Sequence, residues 1–176
     1  IGNQQYARDN TRIYPFGSSL SRVLGFTSTD NIGLTGLEKY YDQYLAGVNG
    51  EIANPTDLVG AEIDGEVFYY PAADGLTVQL TVDYGIQAIA EAALEKVYTQ
   101  YSPLNAQCIV LDPNNFDVLA MAEYPGYDLN DIPRDDPELL NQLSRNNLIS
   151  DIYEPGSTFK IITMSAGLEA GVVSEN

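Results

Sequence analysis

The chain has 176 residues, and its 25 acidic side chains against 8 basic ones give a formal net charge of −17. A chain of this length can bury a core as one domain, or as one domain plus a smaller module, and so acidic a chain is not expected to bind nucleic acid. It contains no histidine and one cysteine, Cys108, which excludes an intrachain disulfide and argues against a metal site. Cys108 lies in an apolar run and is predicted to be a buried small hydrophobe.

Residues 1–72 are predicted to form a small mixed module in which glycine and proline separate short elements. A short helix is expected over 37–45, because apolar residues recur there at a period of 3.6, and Gly47 would close it. Over 51–70 the pattern favours short strands with a hairpin turn at Asp64-Gly65. Nothing in this module points to catalysis.

Residues 73–176 are predicted to form a second unit, which opens with a half-buried strand over 76–82, where apolar and polar residues alternate. Asp83 is expected to cap a long helix with one apolar stripe facing the core. The stripe consists of Ile86, Ile89, Ala90, Ala93, Leu94 and Val97. Strands over 106–111 and 116–122, joined by a turn at 112–115, should follow. This order predicts an α+β fold with a helix packed on an antiparallel sheet.

The segment 123–153 is predicted to be rich in loops, with one short helix over 138–143. A long irregular stretch before a reactive residue often shapes a cleft, and Tyr124, Tyr127, Arg145 and Asn146 are candidates to line it. For the two tyrosines, packing against the edge of the sheet is the preferred interpretation.

The last part of the chain places a nucleophile and a base within one turn of a predicted helix. Pro155 and Gly156 precede an apolar-periodic segment over 157–170, so Ser157 is expected at the helix start and Lys160 one turn further on the same face. A serine hydroxyl needs a neighbouring group to take its proton, and a lysine can do this when its amine is neutral. Without histidine, a Ser-His-Asp triad within this chain is excluded. On these residues alone, Ser157 as a simple N-cap with Lys160 as a solvated charge remains the alternative.

The surrounding sequence resembles a known family. The segment E-P-G-S-T-F-K over 154–160 resembles the active-site motif of penicillin-binding proteins, particularly the class B peptidoglycan transpeptidases of the division and sporulation type. The pair Arg145-Asn146 and the segment L-E-A-G-V-V over 168–173 are similar to that family as well. The resemblance favours the catalytic interpretation of Ser157 and Lys160.

Residues 1–72 resemble the non-catalytic pedestal, or dimerisation-type, module of the same family. Its motifs R-x-Y-P-x-G and G-x-x-G-x-E match at Arg12, Tyr14, Pro15 and Gly17 and at Gly33, Gly36 and Glu38. We expect Arg12 and Glu38 to form a partly buried, charge-assisted pair that holds the module in shape between the domains. A further family motif rich in Arg, Gly and Asp does not occur here, so the pedestal is expected to be partial.

The resemblance implies a serine D-Ala-D-Ala transpeptidase that cross-links peptidoglycan stem peptides in cell-wall synthesis and binds β-lactams covalently. Ser157 would be the nucleophile and Lys160 its base, with Gly156, Ser157 and Thr158 contacting the substrate or the β-lactam. No metal or organic cofactor is implied. Expected partners are other members of a cell-wall synthesis complex. The expected location is the extracytoplasmic face of the cell membrane, through an N-terminal anchor outside this chain.

The chain also departs from the family pattern. It contains no Lys-Thr-Gly, and its S-x-N sequences at 144–146 and 174–176 lie too early or too close to Ser157 to serve as the family's second motif. We therefore expect an incomplete, inactive transpeptidase domain that needs the remainder of that domain, possibly as a separate chain. Two alternatives stay open: a serine hydrolase of the class D β-lactamase type, and a non-catalytic β-lactam sensor or division scaffold.

Overall fold

The computed structural model describes residues 11–53 and 68–174. The helices described are α1 (Ser21–Leu24), α2 (Gly36–Tyr40), α3 (Asp42–Leu45), α4 (Tyr84–Tyr101), α5 (Pro137–Leu143), α6 (Asn147–Ser150) and α7 (Lys160–Glu169). The strands described are β1 (Glu51–Ala53), β2 (Phe68–Tyr70), β3 (Ala106–Leu111) and β4 (Val118–Tyr124). A 3₁₀ turn over Gly156–Phe159 leads directly into α7.

The N-terminal module contains two short helices where the sequence predicted one. The helix is interrupted at Tyr41, which is both the C-cap of α2 and the N-cap of α3. Gly47 follows α3 with φ +67°, the left-handed conformation that a glycine adopts most easily after a helix. Strands β1 and β2 pair antiparallel with Glu51 opposite Tyr70, as predicted, whereas the predicted turn at Asp64-Gly65 lies outside the described residues.

The second part of the chain is built on the antiparallel hairpin of β3 and β4, in which Ala106 pairs with Tyr124. Strand β3 has the predicted bounds, but β4 starts two residues later than expected. The reason is that Phe116 has φ +63° and is 73% exposed, so it belongs to the turn. Asp112 closes that turn by accepting a hydrogen bond from the Asn114 N–H at 2.8 Å.

Helix α4 packs on the hairpin through a face that is rotated from the predicted stripe and shares with it only Ile86, Ala90 and Leu94. Asp83 caps it as expected, since its side chain accepts a hydrogen bond from the Ile86 N–H. Ala90 and Leu94 are buried against three hairpin alanines, namely Ala106, Ala120 and Ala122. The predicted members Ile89, Ala93 and Val97 are exposed.

The physical reason for this rotation is Gln87, which is fully buried. Its amide nitrogen donates to the Met121 carbonyl at 3.2 Å, and its amide oxygen accepts from the Met121 N–H at 2.9 Å. A buried amide must be hydrogen-bonded. These bonds to β4 determine which side of α4 faces the sheet, and a count of apolar residues alone cannot detect them.

The predicted strand over 76–82 is not a strand in the structure. Val78, Leu80 and Val82 are half-buried and their neighbours are exposed, so the alternation seen in the sequence is real. The segment forms no ladder with any described residue, and it contacts β4 through a single bond from the Thr81 hydroxyl to the Val118 carbonyl at 2.8 Å. Alternation reports which side chains are buried, whereas a strand also needs a hydrogen-bonded partner.

A second core joins the beginning of the chain to the segment after β4. Tyr14, Phe26 and Leu129 are buried together, with Leu24, Tyr127, Ile132 and Leu140 packed around them. The Asn130 side chain accepts from the Tyr14 N–H at 3.0 Å and donates to the Tyr14 carbonyl at 2.8 Å. Residues far apart in sequence therefore share one packed unit, and α5 lies at its rim.

Cys108 packs at the edge of the hairpin core and is half-buried, less than predicted.

No helix among residues 11–53 and 68–174 combines the length and the apolar character needed to cross a membrane.

Candidate active site

Ser157 lies inside the 3₁₀ turn, and α7 begins three residues later, at Lys160. The sequence instead predicted a helix that starts at Ser157 itself. The Lys160 N–H donates to the Ser157 carbonyl, which closes the turn between the two residues. Side chains three residues apart are eclipsed in a 3₁₀ turn, so Ser157 and Lys160 project from the same side of the chain.

Gly156 and Thr158 shape the entry to this turn. Gly156 has φ +55°, and a Cβ placed there would meet no atom within 4 Å. Its requirement for glycine therefore comes from backbone conformation rather than from space. The Thr158 hydroxyl donates to the Pro155 carbonyl at 2.6 Å, and the Thr158 N–H donates to the same oxygen at 3.2 Å. The first N–H groups of a helix have no partner within the helix, so the Ser157 N–H is suited to hold an anion.

Ser157 and Lys160 are both exposed, and no residue of α7 is buried. The apolar side chains on either side of Lys160 are open to solvent, with Phe159 51%, Ile161 74% and Ile162 59% exposed. Within the described part of the chain, no hydrogen bond or ion pair reaches the Lys160 amine. A lysine acts as a base when its surroundings disfavour the charged form, and the described residues do not provide such surroundings.

The segment before Ser157 is organised by its own polar side chains. Arg145 forms an ion pair with Asp151 and donates from Nε to the Ser150 hydroxyl at 2.9 Å. Asn146 caps α6 by accepting from the Leu148 N–H at 3.2 Å. These two residues, predicted to line a cleft, are thus engaged in shaping α6.

Tyr124, the last residue of β4, packs against the hairpin core, as the preferred interpretation expected, whereas Tyr127 packs against the second core instead. Tyr124 contacts Tyr98 at 5.0 Å between ring centroids. Tyr127 lies edge-on to Phe26, and its hydroxyl donates to the Ser21 carbonyl at 3.0 Å. Burial, only partly opposed by the nearby Arg22 cation, raises the pKa of Tyr127 to about 12.

Arg12 and Glu38 contact each other in the N-terminal module, at 2.7 Å from Nε to Oε1. The carboxylate is 8% exposed and the guanidinium side chain 47%. The pKa of the neighbouring Tyr14 is raised, mainly by burial and secondly by the negative charge of Glu38. Cavities of about 240 and 430 Å³ flank this pair, and neither is lined by Ser157 or Lys160.

Sequence analysis missed a cluster formed by Arg22, Glu123 and Asn147. Arg22 Nε lies 3.7 Å from Glu123 Oε2, and Glu123 Oε1 accepts from Asn147 Nδ2 at 2.6 Å. No local pattern reveals this cluster, because Arg22 lies about a hundred residues before the other two. Among residues 11–53 and 68–174, no group of three potential ligands is placed to hold a metal ion.

Two family models match the chain. Residues 4–80 match the penicillin-binding protein dimerisation domain, and residues 106–176 match the penicillin binding protein transpeptidase domain. Between them the matches include Arg12, Glu38, Ser157 and Lys160.

Curated relatives align with nearly the whole chain. Stage V sporulation protein D of Bacillus subtilis is 44% identical over 164 residues, which are 93% of this chain and 25% of the relative. Peptidoglycan D,D-transpeptidase FtsI of Escherichia coli is 31% identical over 168 residues, which are 96% of this chain and 28% of the relative. The chain thus spans about a quarter of the length of these relatives.

Solved structures agree with the fold. A peptidoglycan synthetase from Bifidobacterium adolescentis matches with a TM-score of 0.77 at 26% identity, over 94% of this chain and 29% of that one. Penicillin binding protein 3 of Mycobacterium tuberculosis, complexed with ampicillin, matches with a TM-score of 0.74 at 30% identity, over 94% of this chain and 32% of that one. The chain belongs to the class B penicillin-binding proteins, since it joins the dimerisation module of that family to the beginning of its transpeptidase domain.

Proposed function

We propose that this chain is part of a peptidoglycan D,D-transpeptidase in which Ser157 forms the acyl-enzyme. The observation that supports the proposal is the 3₁₀ turn, in which the Lys160 N–H bonds to the Ser157 carbonyl, inside the segment that matches the transpeptidase domain. The division into a pedestal at 1–72 and a transpeptidase unit at 73–176 belongs to the same proposal.

In the proposed reaction, the Lys160 amine takes the proton of the Ser157 hydroxyl as Oγ attacks the penultimate D-alanyl carbonyl of a stem peptide. The Ser157 N–H stabilises the oxyanion that forms. The carbon–nitrogen bond then breaks, and the terminal D-alanine leaves with a proton on its amine. An amine of a second stem peptide attacks the ester, and the serine proton is restored. Gly156 and Thr158 contribute by fixing the turn around the nucleophile.

We further propose that these 176 residues are inactive alone. Lys160 needs neighbours that make its neutral form accessible, and the apolar side chains of α7 remain exposed among the described residues. The sequence also lacks Lys-Thr-Gly and a properly placed S-x-N. The rest of a transpeptidase domain, in the same polypeptide or in a second one, would cover α7 and complete the site.

The proposed partners are peptidoglycan stem peptides, β-lactams and other proteins of cell-wall synthesis. The names of two relatives refer to sporulation and to peptidoglycan transpeptidation, and the solved structures of Mycobacterium tuberculosis penicillin binding protein 3 include complexes with aztreonam and ampicillin. The proposed location is the outer face of the cell membrane, through an anchor outside these residues.

The test is the intact mass of the complete transpeptidase, and of this chain alone, before and after incubation with benzylpenicillin. The complete protein should gain one penicilloyl group on Ser157, and the chain alone should gain none. Ser157→Ala should abolish the adduct, and Lys160→Ala should slow its formation by about 10²- to 10⁴-fold. Ser165→Ala is the matched control. Ser165 lies on α7, is exposed as Ser157 is, and donates to the Ile161 carbonyl.

Three outcomes would contradict the proposal. An adduct on the Ser157→Ala variant would place the nucleophile elsewhere. Rapid release of hydrolysed penicillin would instead indicate a hydrolase, and no acylation of the complete protein would indicate a sensor or scaffold.

A further inference from the structure

Arg22 connects the N-terminal module to the segment that leads into Ser157. Its side chain, on α1, is 12% exposed. From Nη1 it donates to the Gln142 carbonyl at 2.8 Å and to the Arg145 carbonyl at 3.0 Å. These carbonyls lie at the end of α5 and just beyond it, where helical carbonyls lack partners and the helix dipole favours a cation. Arg22 therefore caps α5 from a distant part of the chain.

The same guanidinium faces a buried carboxylate on β4. The Glu123 side chain is 2% exposed, and its Oε2 lies 3.7 Å from Arg22 Nε. Its other oxygen accepts from Asn147 Nδ2, at the first residue of α6. A carboxylate buried this deeply is costly unless a cation neutralises it. Arg22 thus stabilises the group that fastens α6 to the hairpin.

Between α6 and the nucleophile the chain has no comparable anchor. Residues 151–160 are all exposed, and within the described residues none of their side chains bonds to the hairpin. The contact of Asn147 with Glu123 is the last side-chain bond to β4 before Ser157. The place at which the chain leaves the hairpin therefore depends on the cluster of Arg22, Glu123 and Asn147, beside a bond from Asn146 Nδ2 to Met121 Sδ at 3.5 Å.

We propose that Arg22 is a positioning residue for the acylation of Ser157, acting through Glu123, α5 and α6. This inference rests on the proposed function for its kinetic part. Its structural part, the fastening of α6 by an arginine of the N-terminal module, stands on the contacts alone.

The test compares two arginines in the complete protein. Arg22→Met removes the guanidinium and keeps an apolar stem. Arg134→Met is the matched control, because Arg134 also binds a carbonyl of the N-terminal module, that of Thr27 at 2.9 Å, and makes no described contact with Glu123 or α6. The readouts are benzylpenicillin acylation, resolved into reversible binding and the chemical step, and hydrogen exchange of the α6 amides.

Arg22→Met should slow the chemical step by about ten- to a hundredfold while reversible binding changes little, because misplacing a reacting group by about an ångström has such an effect. Exchange of the Ser150 and Asp151 amides, which close α6 onto Asn146 and Asn147, should rise in parallel. Arg134→Met should stay within about twofold of wild type in both readouts.

Rescue separates this role from general destabilisation. Glu123→Gln keeps an acceptor for Asn147 and removes the buried charge, so adding it to Arg22→Met should restore much of the lost rate. Arg22→Lys should restore little, because an ammonium cannot copy the planar fork that binds two carbonyls and a carboxylate.

Unchanged acylation and unchanged α6 exchange in a folded Arg22→Met variant would overturn the inference, as would an equal loss in Arg134→Met. If the wild-type protein itself is not acylated, the proposed function fails. In that case the exchange comparison still decides whether Arg22 holds α6.

Discussion

The unit of α4 with the β3–β4 hairpin and the stretch from residue 151 to 173 differ in what holds them in place. In the first, Ala120 and Gln87 are fully buried and α4 is bonded to β4 by a side-chain amide. In the second, every residue but the half-buried Gly167 is exposed, although this stretch carries the proposed nucleophile and base. The proposed nucleophile and base are therefore held by local backbone geometry, whereas the hairpin and α4 are held by long-range packing.

This difference separates two requirements of the proposed site, namely the local backbone geometry of the turn and the surroundings of the Lys160 amine. The 3₁₀ turn needs only Pro155, a glycine with φ +55° and the Thr158 hydroxyl bond. Activation of Lys160 needs neighbours that remove water from it. The local geometry of Ser157 and Lys160 is thus present without the surroundings that the proposed base would need.

The largest effect on the scaffold should come from Gln87→Leu. The substitution keeps the volume but leaves the Met121 N–H and carbonyl without partners, which should lower the free energy of unfolding by about 3 kcal/mol. Urea unfolding followed by circular dichroism measures this. Gln100→Leu, at an exposed position of α4, should change stability by less than about 0.5 kcal/mol. Equal effects of the two substitutions would mean that the amide does not hold α4 to the hairpin.

Truncation of apolar side chains tests the comparison directly. Leu94→Ala removes a side chain that is 9% exposed, and it should lower the free energy of unfolding by about 2–3 kcal/mol. Ile162→Ala on α7 should change it by less than about 0.5 kcal/mol in the 176-residue chain.

In the complete transpeptidase the same Ile162→Ala substitution should become destabilising, because the rest of the domain would bury α7. A large effect in the short chain would show that α7 packs there after all.

The ion pair of Arg12 with Glu38 should have an intermediate effect. Arg12→Ala leaves a carboxylate that is 8% exposed without its cation, so stability should fall by about 1–2 kcal/mol, less than for a fully buried pair. Arg145→Ala breaks a pair whose members are 56% and 41% exposed and should cost less than about 0.5 kcal/mol. Melting temperatures of the two variants, measured side by side, decide the matter; an unchanged value for Arg12→Ala would remove its structural role.

The smallest effect concerns alkaline pH. The pKa of Tyr127 is raised from 10.0 to about 12 by burial, so the folded state keeps the phenolic proton longer than the unfolded chain does. The associated stability is complete below about pH 10 and is lost as the pH rises toward 12.

Over this pH range the melting temperature of wild type should fall by about 2–4 °C more than that of Tyr127→Phe. Tyr153→Phe, at a residue that is 76% exposed, should follow wild type. Parallel curves for Tyr127→Phe and wild type would show that Tyr127 ionises normally.

The sequence by itself determined the elements whose signals are local. The cap at Asp83, strand β3, helix α5, the end of α3 before Gly47 and the spacing of Ser157 and Lys160 all depend on residues within a few positions of one another. The family could be recognised for the same reason, because its motifs at Arg12, Glu38 and Ser157 are short.

Only the tertiary structure decided which faces and segments pack together. The buried face of α4 depends on Gln87 finding Met121, the segment 76–82 fails to become a strand because no described residue pairs with it, and the Arg22 cluster joins residues about a hundred positions apart. Such contacts depend on how distant segments meet, and periodicity within one segment carries no information about its partner. The family was therefore recognisable from short motifs, whereas the packing was decided by the distant residues that bond to each buried polar group.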